Sequence, residues 1–362
     1  MPVWTATGLT LECDPPLPEH VTLPWDSADE YLLRAAADHQ NALLINDRFG
    51  ALVCALPQIS LWSDSASARH CWQQNLQRNG LPDAEPRCVS DLTAAARNKT
   101  LILIRLPKTL DQLVYWLNQI TVAAPDAGIL LAGMAKHIPV SWLKTLQSRS
   151  AEYHQYPIQR KARLIRIRHW QSDNQPPWKG YISDDGLILK GLPGVFCRDH
   201  EDIGSRVLLR NLQLPGQGVL IDLGCGNGLL ALTAAWRQPG LSIIATDDSH
   251  AAVLSAQENA RANGLTLDVR QGDSLSAVPE QADIILCNPP FHDGHRQLTD
   301  IALRMFREAA DHLCADGRLL VIANRHLPYF KPLRRLFRQV HIRSEDPKFS
   351  LYECQNPHHS SD

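Results

Sequence analysis

The sequence predicts an α/β protein in which strands and helices alternate along the chain, the sheet is mainly parallel, and the plan is laid down twice in tandem. Two observations carry this. Short apolar bursts are repeatedly followed by apolar residues at helical spacing, the mark of strand–helix units in a parallel sheet. Residues 59–81 set against 243–265, at a constant offset of 184, also match at Ile59, Asp64, Ser65, Ala68, Gln73, Asn75, Asn79, Gly80 and Leu81. Shared Asn and Gly punctuation argues for duplication more strongly than shared apolar residues, which any two β/α domains have in common.

In the C-terminal half, 219–223 reads as a buried strand, 224–228 as a loop and 229–237 as a helix. A second strand covers 243–246, and the helix 251–262 is ended by Asn263 and Gly264. Residues 282–287 form another strand, followed by a loop at 288–294, a helix near 298–313 and a strand at 318–323. In the N-terminal half, Leu44, Ile45 and Asn46 face Leu220, Ile221 and Asp222. There 47–50 (DRFG) stands where the second copy has 224–228 (GCGNG), and 105–108 (RLPK) stands where it has 288–291 (NPPF). The first copy thus keeps the scaffold without either loop and reads as a silent repeat. Domains are expected at 1–170 and 181–362, joined by the polar, Pro-rich linker 171–180, with 183–186 (SDDG) a turn between two short strands.

A chain of 362 residues suits two domains of roughly 150–200 residues. The net charge of −2 supplies no overall attraction to nucleic acid, so a polyanion must be held by local basic runs. Two acid-free runs stand out. One is 159–170, with Arg160, Lys161, Arg163, Arg166 and Arg168; the other is 326–343, with Lys331, Arg334, Arg335, Arg338 and Arg343. The nine cysteines are scattered without a C-x-x-C pair, which argues against zinc or a disulfide framework and for reduced thiols. The histidines, His358 and His359 included, lack metal-ligand spacing, so no metal is expected. Neither a signal peptide nor an apolar run of about 20 residues is read, so a soluble, cytoplasmic protein without membrane contact is expected.

Residues 219–228 (VLIDLGCGNG) are an apolar strand, an acid near its end and alternate glycines opening a helix. Glycines permit positive φ and close ligand approach. The spacing is D-x-G-x-G-x-G rather than the dinucleotide G-x-G-x-x-G. Asp222 would repel a diphosphate and attract an amino group, such as the methionine ammonium of S-adenosylmethionine. Gly224, Cys225, Gly226, Asn227 and Gly228 would cradle that ligand. Asp247, with Asp248 as the alternative, is placed to accept the ribose hydroxyls, and Asp273 to accept from the adenine amino group.

Asn288, Pro289, Pro290 and Phe291 close a buried strand aimed at the same sheet edge. The prolines hold the backbone extended and remove N–H donors, leaving carbonyls exposed. An amino group on an aromatic ring is a poor nucleophile because its lone pair is delocalised. The Asn288 side-chain oxygen and the Pro289 carbonyl can accept both its N–H bonds and aim its nitrogen, while Phe291 stacks on the base. Asn288 is expected to border the cofactor as well.

With these two loops in this order, the sequence resembles the class I methyltransferases and, within them, the bacterial ribosomal RNA guanine-N2 methyltransferases. The resemblance covers nearly the whole chain, with 25–33 (WDSADEYLL), 105–110 (RLPKTL) and 323–330 (ANRHLPYF) carrying the finer likeness. It implies two tandem Rossmann-like domains, a degenerate N-terminal one for RNA recognition and an active C-terminal one. The implied reaction is S-adenosylmethionine-dependent methylation of guanine N2 in 23S rRNA, at guanine-1835, with the small-subunit relative acting on guanine-1207 of 16S rRNA as the alternative. Adenine-N6 and protein-glutamine methyltransferases share the acceptor loop. The implied partner is protein-free ribosomal RNA, and a monomer is expected. The resemblance also implies that 192–206 packs beside the cofactor, with Phe196-Cys197 where Phe-Ser is usual.

Overall fold

The structure, a computed structural model, describes residues 2–12, 17, 23–36, 39–89, 91–173, 175–290, 296–344 and 346–358. It forms two compact units, Met1–Pro176 and Pro177–Asp362. Among the described residues no helix is long and apolar enough to cross a membrane.

The first unit opens on a hairpin, β1 (Val3–Trp4) and β2 (Leu9–Thr10). There follow α1 (Ser27–Ala36), β3 (Ala42–Ile45), α2 (Ala51–Ala55), β4 (Ser60–Trp62), α3 (Ala66–Arg78), α4 (Leu92–Ala96), β5 (Leu101–Arg105) and α5 (Leu110–Ala123). The unit ends with β6 (Gly128–Met134), α6 (Val140–Ser148), β7 (Ser150–Gln155) and β8 (Ala162–Trp170). Its sheet runs β4-β3-β5-β6-β8-β7, parallel up to β6. The strands are apolar on both faces because helices cover both. Leu44, Leu61 and Leu103 pack with residues of α1, α2 and α3, whereas Leu43, Ile45, Ile102 and Ile104 pack with those of α4, α5 and α6.

The second unit repeats the order: hairpin β9 (Lys179–Ile182) and β10 (Ile188–Gly191), α7 (Ile203–Asn211), β11 (Gly218–Leu223), α8 (Leu229–Arg237), β12 (Leu241–Asp247), α9 (His250–Ala262) and β13 (Asp268–Gln271). It continues with β14 (Ala282–Cys287), α10 (Arg296–His312), β15 (Leu313–Asn324), α11 (Phe330–Leu336), β16 (Phe337–Ile342) and β17 (Phe349–Pro357). The sheet runs β13-β12-β11-β14-β15-β17-β16, with β17 antiparallel to its neighbours. Strand β9 begins inside the segment 171–180 that the sequence reads as polar linker, because Lys179 and Gly180 pair with Gly191 and Lys190.

Duplication is written in side-chain hydrogen bonds as well as in topology. Asn75 on α3 donates to the Phe49 carbonyl at 2.9 Å and accepts from Glu12 N–H at 2.8 Å. Asn259 on α9 donates to the Asn227 carbonyl at 2.8 Å and accepts from Lys190 N–H at 2.9 Å. Asn79 clips Thr10 through its N–H and C=O, and Asn263 clips Ile188 in the same way. Ser65 and Ser249 cap α3 and α9 through the same third N–H, worth about 1 kcal/mol each. Two of the shared residues, Asn75 and Asn79 with their counterparts Asn259 and Asn263, are therefore the latches that tie each hairpin to its helix.

Strand register corrects one correspondence. Leu44 pairs with Leu61 and Leu103, as Asp222 pairs with Ala245 and Leu286. Leu44 thus takes the place of Asp222, two residues from where the sequence sets it, and 46–50 matches 224–228 without a gap. The backbone agrees: Asn46 and Gly224 have φ of 64° and 78°, and Gly50 and Gly228 have 85° and 86°. The length difference lies in α2, which is shorter than α8.

Candidate active site

The site lies at the carboxyl edge of the second sheet, where the chain goes outward from β11 to β13 and then returns to β14 on the other side of β11. Ligands of open α/β sheets bind at such a reversal. Leu223 pairs with Cys287 at the ends of β11 and β14, so Gly224 and Asn288 are the next residues of neighbouring strands. Topology alone brings the glycine loop and the acceptor loop together.

Four of the five N–H groups in the glycine loop are committed within the protein. Gly224 and Cys225 donate to the Thr246 carbonyl at 2.9 and 3.0 Å, Gly226 to Asp247 Oδ2 at 2.9 Å, and Gly228 to the Cys225 carbonyl at 2.8 Å. A diphosphate would need those donors, so the arrangement disfavours a dinucleotide. The loop instead offers bare backbone: a Cβ at Gly226 would meet nothing within 4 Å. At Gly228 a side chain is barred, because φ is 86° and a Cβ would lie 3.0 Å from the Ala256 Cβ. Cys225 is buried, and burial holds its thiol well above the usual range.

Asp222 is 1 % exposed. Its Oδ2 accepts from Ala231 N–H at 3.0 Å in the first turn of α8, whereas its Oδ1 has no partner among the described residues. Burial pushes the carboxyl up to about 7, with the Ala231 N–H opposing. An unpaired buried carboxylate oxygen beneath an open glycine loop fits a cationic amino group. Asp247, at the end of β12, accepts from Gly226 and from Ser249 N–H at 2.9 Å each, so it both anchors the loop and opens α9. The Asp248 carbonyl accepts from Gln271 at 2.9 Å. Asp273 is held by Arg304 of α10 in a bidentate ion pair, so an adenine amino group would have to use the lone pairs that remain.

Asn288 follows β14, and its amide nitrogen donates to Asp202 Oδ2 at 3.0 Å and to Ser205 Oγ at 2.8 Å. A carboxylate can only accept, so the nitrogen must face Asp202 and the Asn288 oxygen is turned away from it. Pro289 is buried and Pro290 exposed. Phe291 lies outside the described residues.

The first unit shows what becomes of the site when its loops change. Asp47 within the loop accepts from the Phe49, Gly50 and Val53 N–H groups. Trp72, in the place of Ala256, donates from its indole to the Asp47 carbonyl at 2.6 Å. Arg105, in the place of Asn288, pairs with Asp26 and Asp29 at 2.9 Å each. The loop is closed by side chains of its own unit.

Four residues of the site have no role in the sequence reading. Tyr181 of β9 accepts from Asn227 at 3.2 Å; Asn259 holds the Asn227 carbonyl; Asp202 and Ser205 hold Asn288. A signal for the residue itself existed for Asn259, through its match to Asn75; Asp202 and Ser205 are marked only as members of the segment 192–206. The others come from a hairpin and a helix distant in sequence.

Comparison with known proteins shows the family to which the chain belongs. The family described as Methyltransferase small domain matches residues 186–353, and the RLMG N-terminal domain matches 3–171. Ribosomal RNA large subunit methyltransferase G of Pseudomonas fluorescens is 36% identical over 352 residues, covering 91% of this chain and 93% of its own. The chain belongs to the ribosomal RNA large subunit methyltransferase G family. The family member of Streptomyces coelicolor is 35% identical, with 91% and 93% covered. A solved structure, the T. thermophilus 16S rRNA N2 G1207 methyltransferase in complex with AdoMet and guanosine, superposes with a TM-score of 0.79 at 22% identity. It covers 98% of this chain and 97% of its own, and shares with this methyltransferase G family member the two-unit fold.

Proposed function

We propose that this chain transfers a methyl group from S-adenosylmethionine to the exocyclic N2 of a guanine in 23S ribosomal RNA. The observation that carries the proposal is Asn288, an acceptor oxygen fixed beside an open glycine loop at the sheet's point of reversal. The names of the relatives support ribosomal RNA of the large subunit as substrate. Asp222 and the glycine loop hold the methionyl end of the cofactor, Asp247 the ribose, and Asp273 with Arg304 borders the adenine. When bound, the cofactor supplies an electrophilic methyl on a sulfonium. Asn288 and the Pro289 carbonyl accept the two N–H bonds of the guanine amine, aim its nitrogen and stabilise the positive charge that develops on it. Phe291 stacks on the base.

A paired guanine hides N2 against its partner strand, so the base is flipped out or methylated before the RNA folds, at a cost of a few kcal/mol. Arg325, His326 and Lys348 are exposed around an open surface depression at the end of β15 and supply phosphate contacts. The first unit and the run 159–170 hold the surrounding RNA. The test is transfer of labelled methyl to unmarked RNA, read as nucleosides. Protein-free 23S rRNA should accept one methyl, recovered as N2-methylguanosine, and assembled large subunits should be poorer acceptors. Methylated 16S rRNA would move the chain to the small-subunit activity, and methylated adenine or glutamine would overturn the acceptor class.

The elevated Asp222 carboxyl predicts a pH dependence. In the cofactor-free protein its contribution to stability is fully present below the ordinary carboxylate range and is lost as pH rises through about 7. A cationic amino group held by Asp222 favours the ionised form. Cofactor affinity should therefore fall below about pH 7, by up to about tenfold per unit, with a proton released on binding. Calorimetry in buffers of different ionisation enthalpy reads that proton, and Asp222→Asn should flatten the profile. An affinity constant from roughly pH 5.5 to 8 in the unaltered protein would remove Asp222 from the cofactor site.

A further inference from the structure

We propose that Asp202 and Ser205 are positioning residues of the methyl transfer, acting through Asn288. A side-chain amide can be rotated by half a turn, which would exchange the oxygen that accepts the guanine amine for a nitrogen that repels it. Two acceptors prevent this. Asp202 Oδ2 and Ser205 Oγ receive the two N–H bonds of Asn288 at 3.0 and 2.8 Å, so rotation would set the amide oxygen against a carboxylate. The carboxylate is itself fixed: Asp202 caps α7, accepting from Ser205 N–H at 2.7 Å. Ser205 is buried, at 5 % exposed. Gly204 leaves room between them, since a Cβ there would lie 3.2 Å from Asp202 Oδ2 and 3.1 Å from the Phe349 ring.

The silent unit carries the same construction with its chemistry changed. Asp26, beside the start of α1, accepts from Ala28 N–H at 2.7 Å, and with Asp29 it holds Arg105. Asp26, Asp29 and Arg105 thus occupy the places of Asp202, Ser205 and Asn288. A guanidinium has donors only, so holding it fixes its position and still presents no acceptor. In the active unit the same two places hold an amide that has one oxygen to spare, and they determine where that oxygen points.

This inference rests on the reading of Asn288 given above, and two measurements separate the two. The first is single-turnover methylation by the full chain and by Ser205→Ala, Asn288→Ala and the double variant. Ser205→Ala keeps the Asp202 cap on a backbone N–H. It should slow transfer roughly tenfold, with affinities for cofactor and RNA unchanged within about twofold. In the Asn288→Ala background the same change should cost less than about twofold, because a positioning residue has nothing left to position. Equal losses in both backgrounds, or no loss in the first, overturn the proposal. The second measurement follows hydrogen exchange of the Asn288 side-chain amide by nitrogen-edited NMR without RNA. Ser205→Ala should speed it at least roughly tenfold. If the unaltered chain methylates no guanine, the functional reading falls, and unchanged exchange in Ser205→Ala overturns the lock itself.

Discussion

Asn288→Ala should cut turnover at least about a hundredfold while leaving cofactor affinity nearly unchanged. The amine of guanine is deactivated by its ring, and Asn288 supplies one of only two acceptors proposed to aim it. Removing that acceptor misplaces the nitrogen and removes stabilisation that grows as the methyl arrives. Interactions made chiefly in the transition state appear in turnover rather than in binding. Asn288→Asp should be no substitute, because its carboxylate would face Asp202 where the amide nitrogen now donates. Single-turnover transfer and calorimetry on the same preparations check both halves. Near-normal turnover in Asn288→Ala would remove the acceptor role from this loop.

Asp247→Ala should have the opposite signature: cofactor affinity weaker by roughly 1–3 kcal/mol, about fivefold to 150-fold, and turnover at saturating cofactor much less affected. The variant loses the proposed ribose acceptor. It also frees the Gly226 and Ser249 N–H groups that the carboxylate now holds. Titration of the unaltered chain should show one cofactor per chain, since in the first unit Asp47 occupies its own loop. A second binding event, or an affinity unmoved by Asp247→Ala, would count against the division of labour between the units.

Much of this site is legible in sequence because its chemistry is local. A strand end, an acid and alternate glycines must be contiguous to form the loop, and Asn288 with its prolines must follow a strand to reach the edge. Asp247 is read at the end of its strand, where the structure finds it accepting from the glycine loop as well. Asp273 is less legible: its partner Arg304 lies on α10, and nothing in the neighbouring residues announces a bidentate ion pair. Asp202 and Ser205 are invisible for the same reason, although both fall within 192–206, which the family resemblance places beside the cofactor.

The sequence by itself determined the α/β class, the duplication, the two loops and the family, because each depends on periodicity or on residues adjacent in the chain. Tertiary structure alone decided which way the Asn288 amide faces, that four of the five N–H groups of the glycine loop are already used, and that the first unit closes its own loop. It also moved Leu44 into the place of Asp222, since strand register is set by the neighbouring strands rather than by a match along the chain. The physical reason is common to all four. A hydrogen bond is chosen by whichever donor and acceptor folding brings to about 3 Å, and the deciding partners, Asp202 and Ser205 for Asn288, Asp247 for Gly226 and Trp72 for Asp47, sit on elements distant in sequence.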